Sequence, residues 1–152
     1  YWKSVAEQLG VGDHVIFTGR IPYENAPMML ALGDIAIAPK LSLTEGSGKI
    51  LNYMAMALPT VAFETTAQVE LLGNSGVYAA VGNVEQLAAE VTALADDPLR
   101  RTALGQKLRN IAVQQFSWDR VGMQMDAAYR GLIAARRRQP IAMRSGSDTL
   151  PL

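Results

Sequence analysis

A chain of 152 residues is long enough to form one compact domain with a hydrophobic core. Hydrophobic residues make up 49% and charged residues 18%, which excludes a disordered chain, and no apolar run is long enough to span a membrane. Fourteen basic residues balance fourteen acidic ones, which excludes a dedicated nucleic-acid-binding protein, and the lack of cysteine excludes disulfides and thiolate sites and favours a cytoplasmic location.

The first part of the chain alternates helical and strand patterns. Apolar residues of Tyr1–Leu9 recur at helical spacing, and Gly10 ends that segment. Four short apolar runs bounded by turn residues predict buried parallel strands, which need no alternation because both faces of such a sheet are covered. These runs are His14–Thr18, Ile35–Ala38, Thr60–Phe63 and Val77–Val81. The helical patterns between the runs are Tyr23–Leu32, Gly48–Ala57 and Gln68–Leu72.

The rest of the chain has helical periodicity. Val84–Leu94 is amphipathic, Leu99–Phe116 resumes the pattern, and Ser117 is a typical N-cap for a last helix. We therefore expect residues 1–138 to form an α/β, Rossmann-like, three-layer domain with a parallel sheet of about four strands and C-terminal helices. Residues 139–152, rich in Ser, Gly and Pro, lack periodicity and are predicted to be a flexible tail.

The first predicted helix leads directly into a predicted strand. A right-handed crossover needs a strand at each end, so we expect a first strand upstream of Tyr1 and interpret the chain as part of a larger protein. A sheet edge that lacks its neighbour is a template for pairing. We therefore expect the chain to self-associate through this edge.

Residues 39–62 run from a strand end through a polar loop into a helix and then another strand. In open α/β sheets, ligands bind beyond the carboxyl ends of the strands, so the loop should lie at the binding edge. Gly46 and Gly48 let the backbone approach a ligand, and the N–H groups at the start of the next helix attract an anion. Lys49 adds a positive charge there. The combination predicts a phosphate or diphosphate site.

Each of these residues also has a purely structural interpretation. Gly46 and Gly48 suit a turn, and Lys49 suits a solvated first turn of a helix. Glu45 and Asn52 suit an exposed loop and an exposed helix face. Spacing alone does not choose between the two interpretations.

The order of several motifs resembles the C-terminal domain of the family 4 (group 1) glycosyltransferases, which have the GT-B fold. The resemblance covers about Val5 to Leu132. It is carried by Phe17-Thr18-Gly19, Gly33–Pro39, Glu45–Ala55, Leu58–Ala62 and Phe116-Ser117-Trp118. It implies one truncated half of a two-domain GT-B fold, the half that binds the nucleotide-sugar donor. A saccharide or lipid-linked acceptor would then be bound mainly by an N-terminal domain outside this chain.

The resemblance also implies site residues. Glu45 would be the catalytic residue, an acidic side chain in contact with the donor sugar, and no metal site is implied. The positions implied for donor binding are Gly19, Arg20, Gly46, Ser47, Gly48, Lys49 and Asn52. The chain departs from the family pattern, in which a second acid follows the first by eight residues, because Asn52 is an amide and lies seven residues after Glu45. An amide can hydrogen-bond a ribose diol but lacks the charge of a carboxylate.

The reaction implied is transfer of a sugar from a UDP-, GDP- or other nucleoside diphosphate sugar, with retention of anomeric configuration and without a metal or cofactor. Turnover by this chain alone is not expected. Two alternatives stay open: a non-catalytic nucleotide-binding or interaction module of the same fold, and a GT-B nucleotide-sugar epimerase. Arg136–Arg138 suit peripheral contact with an anionic membrane, although basic residues also complement a helix C-terminus. No nucleic-acid partner is expected.

Overall fold

The computed structural model describes residues 1–43 and 45–138. The chain divides into two compact units, residues 1–110 and the part from Ile111 onward, and each is described by itself. The tail predicted for residues 139–152 lies outside the described residues.

The first unit alternates helices with short strands. Its elements in chain order are α1 (Trp2–Gln8), α2 (Ala26–Leu30), β1 (Ala36–Ala38), α3 (Gly48–Ala55), β2 (Thr60–Phe63), α4 (Thr66–Leu72), β3 (Val77–Ala79), α5 (Val84–Ala95) and the start of α6 (Pro98–Gln115). The second unit contains α7 (Trp118–Arg138), whose N-cap is the predicted Ser117: the Arg120 N–H donates to the Ser117 Oγ at 3.4 Å.

The sheet is parallel, in the order β1-β2-β3, and a helix connects each strand to the next. One face packs against α5, where Val61, Phe63 and Val77 form a buried cluster with Leu87 and Leu94. The residues of β1 and β2 that point to the other face are also buried, and α3 and α4 both contact β2. Helices therefore cover both faces of the sheet, which confirms the predicted α/β architecture.

The strand predicted at His14–Thr18 is wrong. The structure has a 3-10 turn at Gly12–His14 and no strand pairing beyond it, and Ile16 is 88% exposed. A β-strand needs a hydrogen-bonded neighbour, and within residues 1–43 and 45–138 the only strand paired with β1 is β2. The sheet of the described residues therefore has three strands instead of four. Self-association through its β1 edge stays a prediction.

Helix α3 ends at a left-handed residue that is not glycine. Ala57 has φ 57°, its N–H donates to the Met54 carbonyl at 3.0 Å, and the Leu58 N–H donates to the Tyr53 carbonyl at 3.0 Å. This pair of bonds is a Schellman motif, whose left-handed position is usually glycine. Helix α6 contacts the same end of α3: a Cβ at Gly105 would overlap the Ala57 carbonyl oxygen and lie 2.9 Å from its carbonyl carbon.

A second contact between α6 and α3 involves an arginine. The guanidinium of Arg109 donates to the carbonyl of Ala55, the last residue of α3. The C-terminal end of α3 is thus held by α6, while its N-terminal end faces the loop after β1.

Candidate functional site

The loop between β1 and α3 lies at the carboxyl edge of the sheet. Strand β1 ends at Ala38 and α3 begins at Gly48. Strand β2 ends at Phe63, and α4 begins at Thr66 on the same edge, because the strands are parallel. In α/β sheets of this kind the crevice beyond this edge is where ligands bind. The predicted site residues from Glu45 onward therefore lie at the expected edge.

Glu45 is paired with Lys40, a residue that sequence reasoning did not single out. The Lys40 Nζ lies 3.0 Å from Glu45 Oε2 and also donates to the Gly46 carbonyl at 3.4 Å. The Glu45 N–H donates to Ser42 Oγ at 3.4 Å. A lysine five residues before the acid, directly after the Pro39 that follows β1, was the available signal. The charge of the loop therefore includes Lys40 as well as Lys49.

The backbone of Lys40 is held by neighbouring elements. Its N–H donates to the Ala38 carbonyl at 2.9 Å, and its carbonyl accepts from Gln68 Nε2 at 3.0 Å. Gln68, in the first turns of α4, is only 1% exposed. Its Oε1 is buried and has no hydrogen-bond partner among the described residues. Lys40 thus joins the end of β1, the start of α4 and the loop.

The N-terminus of α3 is open to solvent. Ser47, its N-cap residue, is 8% exposed, yet its side chain makes no capping hydrogen bond. A Cβ built at Gly46 or at Gly48 would meet no atom within 4 Å. Lys49 is exposed in the first turn of the helix. The structure therefore places Glu45, Gly46, Gly48 and Lys49 at an accessible surface beside the buried Ser47, whose side chain does not cap the backbone N–H groups at the start of α3.

Asn52 lies one turn further along α3 and is half-buried. It lines a small cavity of about 90 Å³ together with α2 and the residues around it, including Tyr23, Pro27 and Leu30. The remaining lining is mostly apolar. The amide predicted to bind ribose is thus one of few polar groups in this cavity.

Gly19 and Arg20 lie in the extended segment after the 3-10 turn. Gly19 has φ 68°, and both residues are exposed. Among the hydrogen bonds and ion pairs of the described residues, none joins either residue to the stretch from Glu45 to Asn52. The structure therefore links Glu45 to Lys40 but does not link Gly19 or Arg20 to this loop, and their role in donor binding stays a prediction.

Residues 1–97 match the family model described as "Glycosyl transferases group 1". The chain belongs to this family. The family resemblance carried by the motifs is therefore confirmed.

Two similar proteins are both named as mannosyltransferases. The chain is 35% identical over 136 residues to an MMP alpha-(1->4)-mannosyltransferase of Mycolicibacterium hassiacum, covering 87% of this chain and 32% of the relative. It is 29% identical over 143 residues to a GDP-mannose-dependent alpha-(1-6)-phosphatidylinositol monomannoside mannosyltransferase of Mycolicibacterium smegmatis, covering 89% of this chain and 37% of the relative. The chain thus spans about a third of the length of these relatives.

Two solved structures show the same fold. Sucrose-phosphate synthase from Thermosynechococcus elongatus superposes with a TM-score of 0.79 at 22% identity, covering 88% of this chain and 34% of that protein. HepE from Anabaena, in complex with UDP, superposes with a TM-score of 0.78 at 20% identity, covering 86% of this chain and 37% of that protein. This group 1 glycosyltransferase chain therefore contains part of a GT-B fold.

Glu64, at the carboxyl edge of the sheet, contributes to the environment of Tyr78. Glu64 follows β2 directly, and its N–H donates to the Ala79 carbonyl at 2.8 Å. Burial, and secondarily the negative charge of Glu64, raises the pKa of Tyr78 from 10.0 to about 12. The Tyr78 hydroxyl donates to the Gly73 carbonyl at 2.7 Å. Tyr78 is therefore a neutral hydrogen-bond donor near physiological pH.

Residues 1–43 and 45–138 contain no group of three or more His, Asp or Glu side chains arranged to hold a metal ion. No helix within that part of the chain combines the length and apolarity needed to cross a bilayer.

Proposed function

We propose that this chain binds the nucleotide-sugar donor of a glycosyltransferase that transfers the sugar to a saccharide or lipid-linked acceptor. The observation that carries the proposal is the accessible, two-lysine loop at the carboxyl edge of the sheet in a chain of this family. GDP-mannose is the first donor to test, because a relative is named for its dependence on it. UDP and its sugars come second, since HepE was solved with UDP.

The diphosphate is proposed to bind at the start of α3. The N–H groups of Gly48 and Lys49 are uncapped by Ser47, and the helix dipole favours an anion there. The Lys49 ammonium adds a formal charge in the same turn. Sugar transfer expels a nucleoside diphosphate, so negative charge grows on the bridging oxygen. N–H dipoles and a cation fixed toward that oxygen lower the barrier.

The donor sugar is proposed to contact Glu45. Lys40 bonds Oε2 of this carboxylate, which leaves Oε1 to accept a hydrogen bond from a sugar hydroxyl. The ribose is assigned to Asn52 and the nucleotide also to Gly19 and Arg20, as the family resemblance implies. Retention of configuration without a metal belongs to this proposal as well. So does peripheral membrane contact through Arg136 and Arg137, which are exposed at the end of α7.

A non-catalytic nucleotide-binding module is the second candidate function. It is favoured by one observation, the amide of Asn52 at the position where the family has its second acid. Such a module would bind a nucleoside diphosphate without any gain in affinity from the attached sugar. A catalytic donor site should instead recognise the sugar through Glu45. The two candidates therefore differ in their response to GDP and GDP-mannose.

Calorimetric titration of the chain with GDP, GDP-mannose, UDP, UDP-glucose and NAD tests the proposal. We expect one nucleoside diphosphate pair to bind and NAD not to bind. Lys49→Ala should weaken diphosphate binding about ten-fold, the loss of one charge-assisted contact. Lys107→Ala, which removes the same charge from an exposed position on α6, should leave binding unchanged. A folded chain that binds none of GDP, GDP-mannose, UDP and UDP-glucose would refute the donor site.

A further inference from the structure

The ammonium of Lys40 contacts two groups of the loop between β1 and α3, residues 39–47, which is called the donor loop below. It donates to Glu45 Oε2 at 3.0 Å and to the Gly46 carbonyl at 3.4 Å. Lysine has three N–H donors, so both acceptors are served at once. The contact thus fixes the direction of an acidic side chain relative to the backbone that leads into α3.

Lys40 is the anchored partner of this pair. Its side chain is 28% exposed, whereas that of Glu45 is 75% exposed. Its backbone is bonded on both sides, by the Ala38 carbonyl and by Gln68 Nε2. Gln68 cannot reverse its amide here, because only the NH₂ group can donate to a carbonyl. Two hydrogen bonds therefore connect buried Gln68 to Lys40 and Lys40 to Glu45.

An isolated surface ion pair contributes little, because two long side chains must be ordered in water. Lys40 departs from that situation in two ways: its backbone is already fixed, and its ammonium contacts a carbonyl as well as the carboxylate. Less entropy is then lost on forming the pair. Glu45 is consequently the group that gains order from it.

We propose that Lys40 is a positioning residue for the donor sugar, which holds the Glu45 carboxylate in place beside the diphosphate-binding end of α3. The inference rests on the proposed function. Lys49 binds the diphosphate directly, so it acts on every nucleoside diphosphate. Lys40 acts through Glu45, so it affects only ligands that carry a sugar. The two lysines of one loop thus have separable roles.

The first arm of the test needs no ligand. Backbone ¹⁵N order parameters of Glu45 and Gly46 are measured by NMR in the wild-type chain, Lys40→Met, Lys40→Arg and Lys107→Met. In Lys40→Met they should fall below about 0.6, the range of flexible backbone, while the other two variants keep the wild-type values. Unchanged order parameters in a folded Lys40→Met chain would overturn the inference.

The second arm measures dissociation constants for GDP and GDP-mannose, and for UDP and UDP-glucose, by calorimetry. Lys40→Met should weaken binding of the sugar nucleotide about five-fold and that of the free nucleotide less than two-fold, and Lys49→Met should weaken both alike. The effects of Lys40→Met and Glu45→Gln on sugar-nucleotide binding should be less than additive, because Lys40 acts through the Glu45 carboxylate.

The outcomes separate the inference from the proposed function. Equal weakening of nucleotide and sugar nucleotide in Lys40→Met would make Lys40 a diphosphate ligand and overturn the positioning role. If the wild-type chain binds neither member of either pair, the proposed function fails, and the role of Lys40 toward a sugar fails with it. The order parameters still decide in that case whether Lys40 holds Glu45.

Discussion

Replacing Ala57 with glycine should stabilise the chain, because Ala57 has the left-handed conformation of a Schellman motif. An L-residue with a Cβ loses about 1–2 kcal/mol in that conformation. Glycine avoids this penalty but loses about 0.5–1 kcal/mol more conformational entropy on folding. The net gain is about 0.5–1 kcal/mol, which corresponds to a rise in melting temperature of about 2–5 °C for a domain of this size.

Urea unfolding followed by circular dichroism measures this change. Ala89→Gly is the matched control, since Ala89 is exposed in the interior of α5 and the same substitution there should cost about 1 kcal/mol. The two variants should therefore shift the unfolding midpoint in opposite directions with equal m-values. Destabilisation by Ala57→Gly similar to that of Ala89→Gly would refute the reasoning.

Two further predictions concern packing and pH. Gly105→Ala should destabilise the chain by more than about 2 kcal/mol in the same unfolding assay, because its Cβ would overlap the Ala57 carbonyl oxygen. Gly122→Ala, which has open space inside α7, should instead raise helicity. Tyr78 has a folded-state pKa of about 12 against an ordinary value of 10.0. The unfolded chain therefore loses this proton first, so the free energy of unfolding should fall as pH rises from about 10 to about 12. Tyr78→Phe should show a smaller decline over that range, and an identical decline would contradict the pKa assignment.

The hydrophobic patterns in the sequence predicted most of the helices and strands correctly. The run Thr60–Phe63 is β2 as predicted, and the amphipathic segment from Val84 is α5. His14–Thr18 has a similar apolar composition but no strand pairing in the described structure. Composition reports the tendency to be extended, whereas pairing depends on residues distant in sequence. The failed strand is therefore a failure of tertiary context and not of pattern.

Only part of the candidate site could be predicted from the sequence. Gly46, together with Gly48 and Lys49 in the first turn of a helix, indicates the stretch from Glu45 to Lys49 without knowledge of the tertiary structure. Lys40 was missed because its contact with Glu45 depends on how the loop folds back. The anchor of Lys40 is even less local, since Gln68 lies 28 residues away. Contacts of this kind are visible only once the strand order is known.

The contacts between α6 and α3 have a consequence for the loop at the opposite end of α3. Arg109 and the close approach of Gly105 hold the last turn of that helix, while its first turn, at Gly48, is exposed. A short helix secured at one end transmits a small rotation there into a larger displacement of its other end. If the start of α3 binds the diphosphate as proposed, the position of its N–H groups would therefore depend partly on α6, which contacts the opposite end of the helix. We therefore expect substitutions in α6, as well as substitutions in the loop, to change the affinity for the nucleotide-sugar donor.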